Sequence, residues 1–421
     1  MQRRIFLQSS AAALAAAPFA SLFSSLARAA EAGRKPRILV RNGWQSINIG
    51  DIAHWIGLFE LLDKHGIEAD IRFWYGTLAD NADSILKKHW PKVQLVKSKD
   101  EIATAFKECD FYISGSGSGF PAATDVRRWH AETGKPYGVM GVTLTSVSDG
   151  VIDILNKADF AYFRDGESVK WAKEKGLTNP NSGFGPDTAF GVVKTRDDEA
   201  ADKFMKEHGL ETGKFLVMIP RYRQTPHWAI SKTREFEEAK HKRNEEKKDH
   251  DHKPHREAIT RIVRETGMKV LVTCEDKTQI PLGKEMIVDL LPDDVKKSVV
   301  WRDRYWLTDE ALSTYVRSAG LFGNEMHSPI MCISSGIPAI VCRHDDQTKK
   351  GMMWRDIGLE DWLFDLDNAE DYAKIVPAIV AIAKDPAAAK AKAEKAREVV
   401  LAKQKMEMDS LKASLAKAVK A

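Results

Sequence analysis

Cysteine is scarce in these 421 residues. The four present, Cys109, Cys274, Cys332 and Cys342, form no CxxC pair and no Cys/His array with metal-ligand spacing. A disulfide framework is therefore not expected, and three of the four sit in apolar runs that suit core residues. No segment after the first 30 residues is apolar for long enough to span a bilayer. Net charge is small as well: Lys plus Arg total 64 against 60 Asp plus Glu, and three of the cations, Arg3, Arg4 and Arg28, lie in a leader without acidic residues, which leaves the rest near neutral. Such a chain has no bulk attraction for nucleic acid or an anionic membrane. The first strand-like run is not followed by Gly-x-Gly-x-x-Gly, and no Gly-Lys-Ser/Thr follows the later glycine-rich segment. Nicotinamide and Walker-type nucleotide sites are thus not expected. What is present is a folded composition, 43% hydrophobic and 29% charged, over a length that suits about two to three domains.

The first 30 residues have their own grammar. Met1 to Gln8 carries Arg3 and Arg4, Ser9 to Leu26 is rich in Ala, Leu, Phe and Ser, and Ala27-Arg28-Ala29 offers a small-x-small cleavage site. Charged start, short apolar centre interrupted by Pro18 and small-residue end describe an export leader. The paired arginines followed by Ile5-Phe6-Leu7 resemble a twin-arginine signal, an address for export of an already folded chain. The expected location is periplasmic or otherwise extracytoplasmic.

From residue 36 onward, short apolar runs alternate with amphipathic ones. Strands are expected at Arg37–Val40, Ala69–Tyr75, Val93–Val96, Asp110–Ser114, Tyr137–Leu144 and Asp159–Phe163, then at Phe215–Pro220, Met268–Cys274, Val299–Arg302, Gly320–Gly323 and Ala339–Cys342. Strands separated by helix-length segments predict parallel βαβ units. The reading is α/β: two doubly wound Rossmann-like domains over residues 36–192 and 200–368, with a cleft between them. A solvated, partly packed helical tail is expected over 369–421. The segment 225–257 carries five of the twelve histidines amid mixed charge and reads as an insertion forming a mobile loop or lid, with no metal assigned.

Several motifs punctuate this frame. Asn48-Ile49-Gly50-Asp51 opens an apolar helix, with Gly50 suited to a tight turn and Asp51 to an N-cap. Ser114-Gly115-Ser116-Gly117-Ser118-Gly119 follows a strand, and its amides and hydroxyls suit sugar hydroxyls or anions. Phe163-Arg164-Asp165-Gly166-Glu167-Ser168, Gly185-Pro186-Asp187-Thr188 and the stretch Met326-His327-Ser328-Pro329 through Ser335-Gly336-Ile337-Pro338 complete the series. In order and spacing these resemble the polysaccharide pyruvyl transferase family across residues 40–345.

That resemblance implies a GT-B-like pair of domains and transfer of a pyruvyl group from phosphoenolpyruvate to a sugar diol as a ketal, with no other cofactor. The chemistry calls for cations on the donor's phosphate and carboxylate and an acid for its methylene carbon. Arg221 and Arg223, after a strand, are the donor-binding candidates together with Ser328; His327, at a strand-to-helix turn, is the catalytic candidate. Asn48, Asp51, Ser114, Gly115, Ser116 and Gly117 are assigned to the acceptor. One position departs from the family: Glu325 stands two residues before His327, where members usually carry arginine, and an anion there repels a phosphate. Glu325 therefore enters the catalytic candidates of the alternative, an exported hydrolase or lyase on the same scaffold using Glu325 or Asp51 as acid and Asp187 as partner. A glycan-binding protein with Trp44, Trp55 and Trp74 as sugar platforms is the third reading. Glu325 facing a second carboxylate across the cleft favours hydrolysis, whereas Glu325 paired with Arg302 or Arg304 favours transfer.

Overall fold

A computed structural model describes residues 34–419 apart from positions 145, 147, 148, 232 and 348. The leader at 1–30 lies outside the described residues. Among the described residues the chain forms two parallel sheets. The first contains β1 (Arg37–Asn42), β2 (Asp70–Tyr75), β3 (Gln94–Val96), β4 (Phe111–Ser114), β5 (Gly117–Ser118), β6 (Tyr137–Thr143), β7 (Phe160–Phe163) and β8 (Ser182–Phe184), ordered β3-β2-β1-β4-β6-β7-β8, with β5 also on β6. The second contains β9 (Phe215–Ile219), β10 (Lys269–Val272), β11 (Val299–Trp301), β12 (Gly320–Gly323), β13 (Ala339–Arg343) and β14 (Leu363–Asp365), ordered β11-β10-β9-β12-β13-β14. Central strands such as Phe215-Leu216-Val217-Met218-Ile219 are buried at every position, as strands covered by helices on both faces must be. All four cysteines are buried and free.

Four helices position the site. Helix α1 (Ile49–Lys64) follows β1 and is capped by the Asn48 side chain, which accepts from Gly50 N, while Asp51 sits in its first turn. Helix α2 (Glu238–Thr266) precedes β10, α3 (His327–Ser334) follows β12, and α4 (Pro386–Ala418) ends the described chain. The tail is less solvated than its Ala/Lys composition suggests: one face of α4, including Ala393, Val400, Met408 and Leu411, is buried. Small alanines let this helix approach closely, and Ser410 hydrogen-bonds the Tyr162 hydroxyl of β7 at 2.7 Å.

The histidine-rich segment is the main difference from expectation. Most of it is not a loop but the first two-thirds of α2, a 29-residue helix. Its protein-facing residues include Asn244, Asp251, His252 and His255, so an amphipathic pattern of apolar residues is missing where the helix is nevertheless buried. Pro254 leaves the carbonyl of His250 without its intrahelical partner, and the Tyr372 hydroxyl donates to that carbonyl at 3.0 Å. The helix then fixes the segment after β9. Asn244 clamps Gln224 through both backbone groups, at 2.9 and 2.7 Å, and His252 Nε2 accepts from Arg221 N at 3.3 Å.

Burial pushes His255 and His344 down to about 3, with the neighbouring His252 acting on the first and Arg221 and Arg223 on the second. Both are neutral in the folded chain, while the unfolded chain takes up protons at these side chains near pH 6.5. The contribution of these two histidines to stability is therefore expected to be flat above pH 7 and to fall as pH drops from about 6.5 toward 4. Urea midpoints at pH 7.5, 6 and 5 test this, and His344→Gln should flatten the slope; an unchanged slope in that variant counts against the assignment.

Candidate active site in the cleft between the sheets

The two halves meet along the start of α1. Ile49 N donates to the Glu275 carbonyl at 2.9 Å, Thr308 Oγ1 to the Ile49 carbonyl at 2.8 Å, and the Tyr305 hydroxyl to the Ser46 carbonyl at 3.1 Å. Above this seam lies a cavity of about 250 Å³ lined by Gln45, Ile47, Asn48, Asp51, His54, Ser118 and Arg164 from the first half and by Arg221, Thr225, His227, Asp276 and His327 from the second. It sits at the carboxyl ends of the strands, where open α/β sheets bind ligands.

His327 occupies the first turn of α3. Its Nδ1 lies 3.0 Å from Glu275 Oε1, while Glu275 Oε2 accepts from Ser328 N at 2.8 Å, so one buried carboxylate both caps the helix and orients the ring. Ser328 itself is fully buried, its hydroxyl accepting from Tyr315 at 3.0 Å. It supports the helix from beneath and does not line the cavity. Across the seam the approach is close: a Cβ built on Gly50 would fall 2.0 Å from His327 Nδ1.

The motifs around Arg164 and Asp187 meet in one buried ion pair. Arg164 Nη1 donates to Asp187 Oδ2 at 2.6 Å and its Nε to Thr143 Oγ1 at 2.7 Å, while Asp165 caps the next helix at Ser168 N. Asp187 Oδ1 accepts from Ala189 N at 2.9 Å and lies 3.3 Å from His54 Nε2. Burial alone would raise this carboxyl, yet His54 and then Arg164 hold it well below the ordinary range. Behind it, burial and then the Asp187 charge raise Glu407 of α4 well above that range. His54, Asp187 and His327 bring ligand-type atoms within 4.8 Å of one another, a donor set that a divalent ion uses elsewhere. Here the Asp187 charge is already matched by Arg164.

Glu325 resolves differently from both expectations. Buried, it receives Arg221 Nη1 on both carboxylate oxygens at 2.6 Å and Gln279 Nε2 at 2.6 Å. Arg302 and Arg304 instead pair with Glu310. Asp276 is beside it: burial, and next the Glu325 charge, raise that carboxyl to about 6. Of the carboxylates proposed for hydrolysis, Glu325 and its partner Asp187 are held in ion pairs and hydrogen-bonded, whereas Asp51 lines the cavity. Arg223, expected beside Arg221 on the donor, is committed elsewhere. Its guanidinium is buried against Asp251, Asp346 and Asp367, because α2 supplies a carboxylate that the local sequence does not reveal.

On the acceptor side, Asn48 and Asp51 line the cavity, Asp51 accepting from Gln45 at 2.6 Å. Most of the glycine-rich segment lies beneath. Ser114 and Ser116 are fully buried, Ser116 Oγ accepts from Thr188 N at 2.9 Å, Gly115 N bonds the Arg41 carbonyl and Gly117 pairs with Val142. Ser118 is the member that reaches the cleft. Gly141, at φ +65°, has no room for a Cβ beside Ser116 Oγ, 2.1 Å away. The tryptophans are not sugar platforms: Trp55 is core, and the Arg41 guanidinium lies over Trp44 and Trp74 at 4.5 and 4.9 Å. Residues that sequence reasoning missed are His54, Glu275, Asp276 and His227; for His54 the available signal was its place one turn after Asp51.

Two parallel α/β sheets facing each other across a ligand cleft define the GT-B class. Solved structures with this fold include Anabaena HepE in complex with UDP and glucose (10% identity, TM-score 0.54, covering 90% of this chain and 100% of that one), UDP-GlcNAc 2-epimerase from Methanocaldococcus jannaschii (12%, 0.53, 82% and 92%) and S. aureus MnaA with UDP (12%, 0.52, 83% and 90%). No curated protein matches the chain in sequence. The family description polysaccharide pyruvyl transferase matches residues 48–346, and the chain belongs to that family of polysaccharide-modifying transferases.

The Gly50 contact generates a direct expectation. Gly50→Ala forces either α1 or the His327 ring to move, at a cost of about 1–3 kcal/mol. A fall in the urea midpoint accompanied by a shifted His327 ring resonance is expected; wild-type values for both would contradict the close approach.

Proposed function

We propose that this protein is an exported transferase that places pyruvate as a ketal on a cell-envelope polysaccharide, using phosphoenolpyruvate as donor. The observation that carries this reading is the convergence of His327 with Arg164 and Arg221 in one cavity between the halves. Arg221 and Arg164 supply charge for the donor's phosphate and carboxylate, and His327 protonates the methylene carbon. His227 adds a polar group at the Arg221 end of the cavity. Asn48, Asp51 and Ser118 face the same space from the first half and would meet the acceptor diol. Export rests on the leader at residues 1–30, and it requires the donor to be supplied outside the cytoplasm.

Arg221 is the sensitive point, because Glu325 already takes part of its charge. Calorimetric titration of the mature protein with phosphoenolpyruvate should show binding that weakens about 10- to 100-fold in Arg221→Ala, the loss of a charge-assisted contact. Glu325→Gln should act oppositely and tighten binding, since it removes an anion while keeping an acceptor for Arg221. His327→Ala should bind the donor but release no phosphate. Absence of donor binding at millimolar concentration in the wild type would end the pyruvyl reading.

A further inference from the structure

Three imidazoles line the cavity, His54, His227 and His327, and two of them, His54 from the first half and His327 from the second, each lie beside a buried carboxylate. His54, only 2% exposed, has Nε2 at 3.3 Å from Asp187 Oδ1 and Nδ1 at 4.0 Å from Asp51 Oδ1. His327 has Nδ1 at 3.0 Å from Glu275 Oε1. The ring centroids are 4.8 Å apart and the planes nearly perpendicular, at 79°. Both rings line the cavity. A carboxylate on one ring nitrogen selects the tautomer and stabilises the imidazolium that forms when the other nitrogen takes a proton. Two such pairs facing one space suit a reaction that needs a proton delivered at one atom and removed at another.

Ketal formation on a diol is such a reaction, and this inference rests on the pyruvyl-transfer reading. We infer that His54 is the general base that takes the proton of the attacking acceptor hydroxyl, opposite His327 as acid. The Asp187 charge, 3.3 Å from Nε2, favours the proton on that nitrogen and leaves the Nδ1 lone pair on the Asp51 side of the cavity, where the acceptor side chains lie. His327 stands at a helix N-terminus, where a positive end disfavours the imidazolium and sharpens it as a proton donor.

The steps balance. The first hydroxyl oxygen bonds to C2 of the donor as its proton passes to His54 and the proton of His327 passes to the methylene carbon, making it methyl. The second hydroxyl oxygen then bonds to C2 while the C2–O bond to phosphate breaks, and phosphate leaves with that electron pair. The second hydroxyl proton goes to the now neutral His327, and the proton on His54 goes to the departing phosphate. Both rings return to their starting states, two O–H bonds are lost, and one C–H bond and one protonated phosphate are gained.

The charged and titratable groups that share the cavity with His54 or pair with it are Asp51 on its own helix, Asp187 and Arg164 from the first half, and His327, Arg221, His227 and Asp276 from the second. His54→Gln leaves these in place and removes the base. The probe substrates are phosphoenolpyruvate and the source organism's own envelope polysaccharide, freed of existing ketals by mild acid. The expected result in His54→Gln is a kcat lower by about 10²–10⁴-fold with donor affinity kept by calorimetry, and loss of the acidic limb of the kcat/KM profile, the limb on which the base becomes protonated. A variant that turns over at the wild-type rate, or that alters KM alone, overturns the inference while leaving pyruvyl transfer standing. A wild type that binds no phosphoenolpyruvate overturns the transfer reading and this inference with it. Because the site is buried, a wild-type measurement stands beside the variant: ¹⁵N NMR of the His54 ring should show the Nε2–H tautomer at neutral pH. An Nδ1–H tautomer overturns the assignment regardless of how the variant folds.

Discussion

Glu275 is the residue on which the site is hung. It lies just beyond β10, fully buried, and each of its polar groups has a separate task. Its carbonyl accepts from Ile49 and so joins the halves; one carboxylate oxygen caps α3 at Ser328; the other holds His327 Nδ1; and its own N–H donates to Gln279 Oε1 at 2.6 Å. A buried carboxylate is tolerated only when its lone pairs are met by donors. Here the donors come from a helix start and an imidazole, so the requirement for burial and the requirement for orientation are the same. The bond that aims the ring lies within the second half, and the Glu275 carbonyl ties it to the start of α1.

Around this pivot the fold divides its cations by how many carboxylates reach them. Arg223 is surrounded by three and is structural, linking α2 to the segments after β13 and β14. Arg164 has one, Asp187, and still borders the cavity. Arg221 also has one, Glu325, with its side chain 19% exposed. Removing water from such groups is costly unless each charge is matched, and pairing satisfies that demand before any ligand arrives. A ligand anion then meets guanidinium groups already fixed in direction, so little side-chain freedom is lost on binding.

Much of the frame was legible because parallel strands covered on both faces must be apolar throughout, and runs such as Phe215–Ile219 are. Asn48 and His327 were legible for a related reason: helix starts after strands have strong residue preferences, and those starts border the cleft. What failed was anything decided by a distant partner. The role of Arg223 depends on residues 28, 123 and 144 positions away. Helix α2 was hidden because its buried face is polar, satisfied by Gln224, Arg221 and Arg223, so the periodicity that marks a helix was absent. His54 was masked by the reverse effect, a single imidazole in a helix otherwise buried as core from Ile49 to Leu62. The Gly115–Gly117 segment carried the chemistry of a ligand loop but met the neighbouring backbone instead, since Ser116 was needed to hold Thr188.

Glu325, standing where the family resemblance leads to an arginine being expected, changes the electrostatics less than its charge alone suggests. An isolated anion would act on a phosphate as a monopole, but both oxygens of Glu325 face Arg221 and one also accepts from Gln279. The pair presents a dipole, whose field falls faster with distance than that of a single charge. Repulsion is then confined to the immediate vicinity of Glu325, while Arg221 Nε and Nη2 remain on a side chain that borders the cavity. Arg164 is paired in the same way with Asp187, so neither guanidinium exerts the long-range pull of a free cation. A site built this way gains its hold on an anion at contact distance, by directed hydrogen bonds, and little of it by steering from solution.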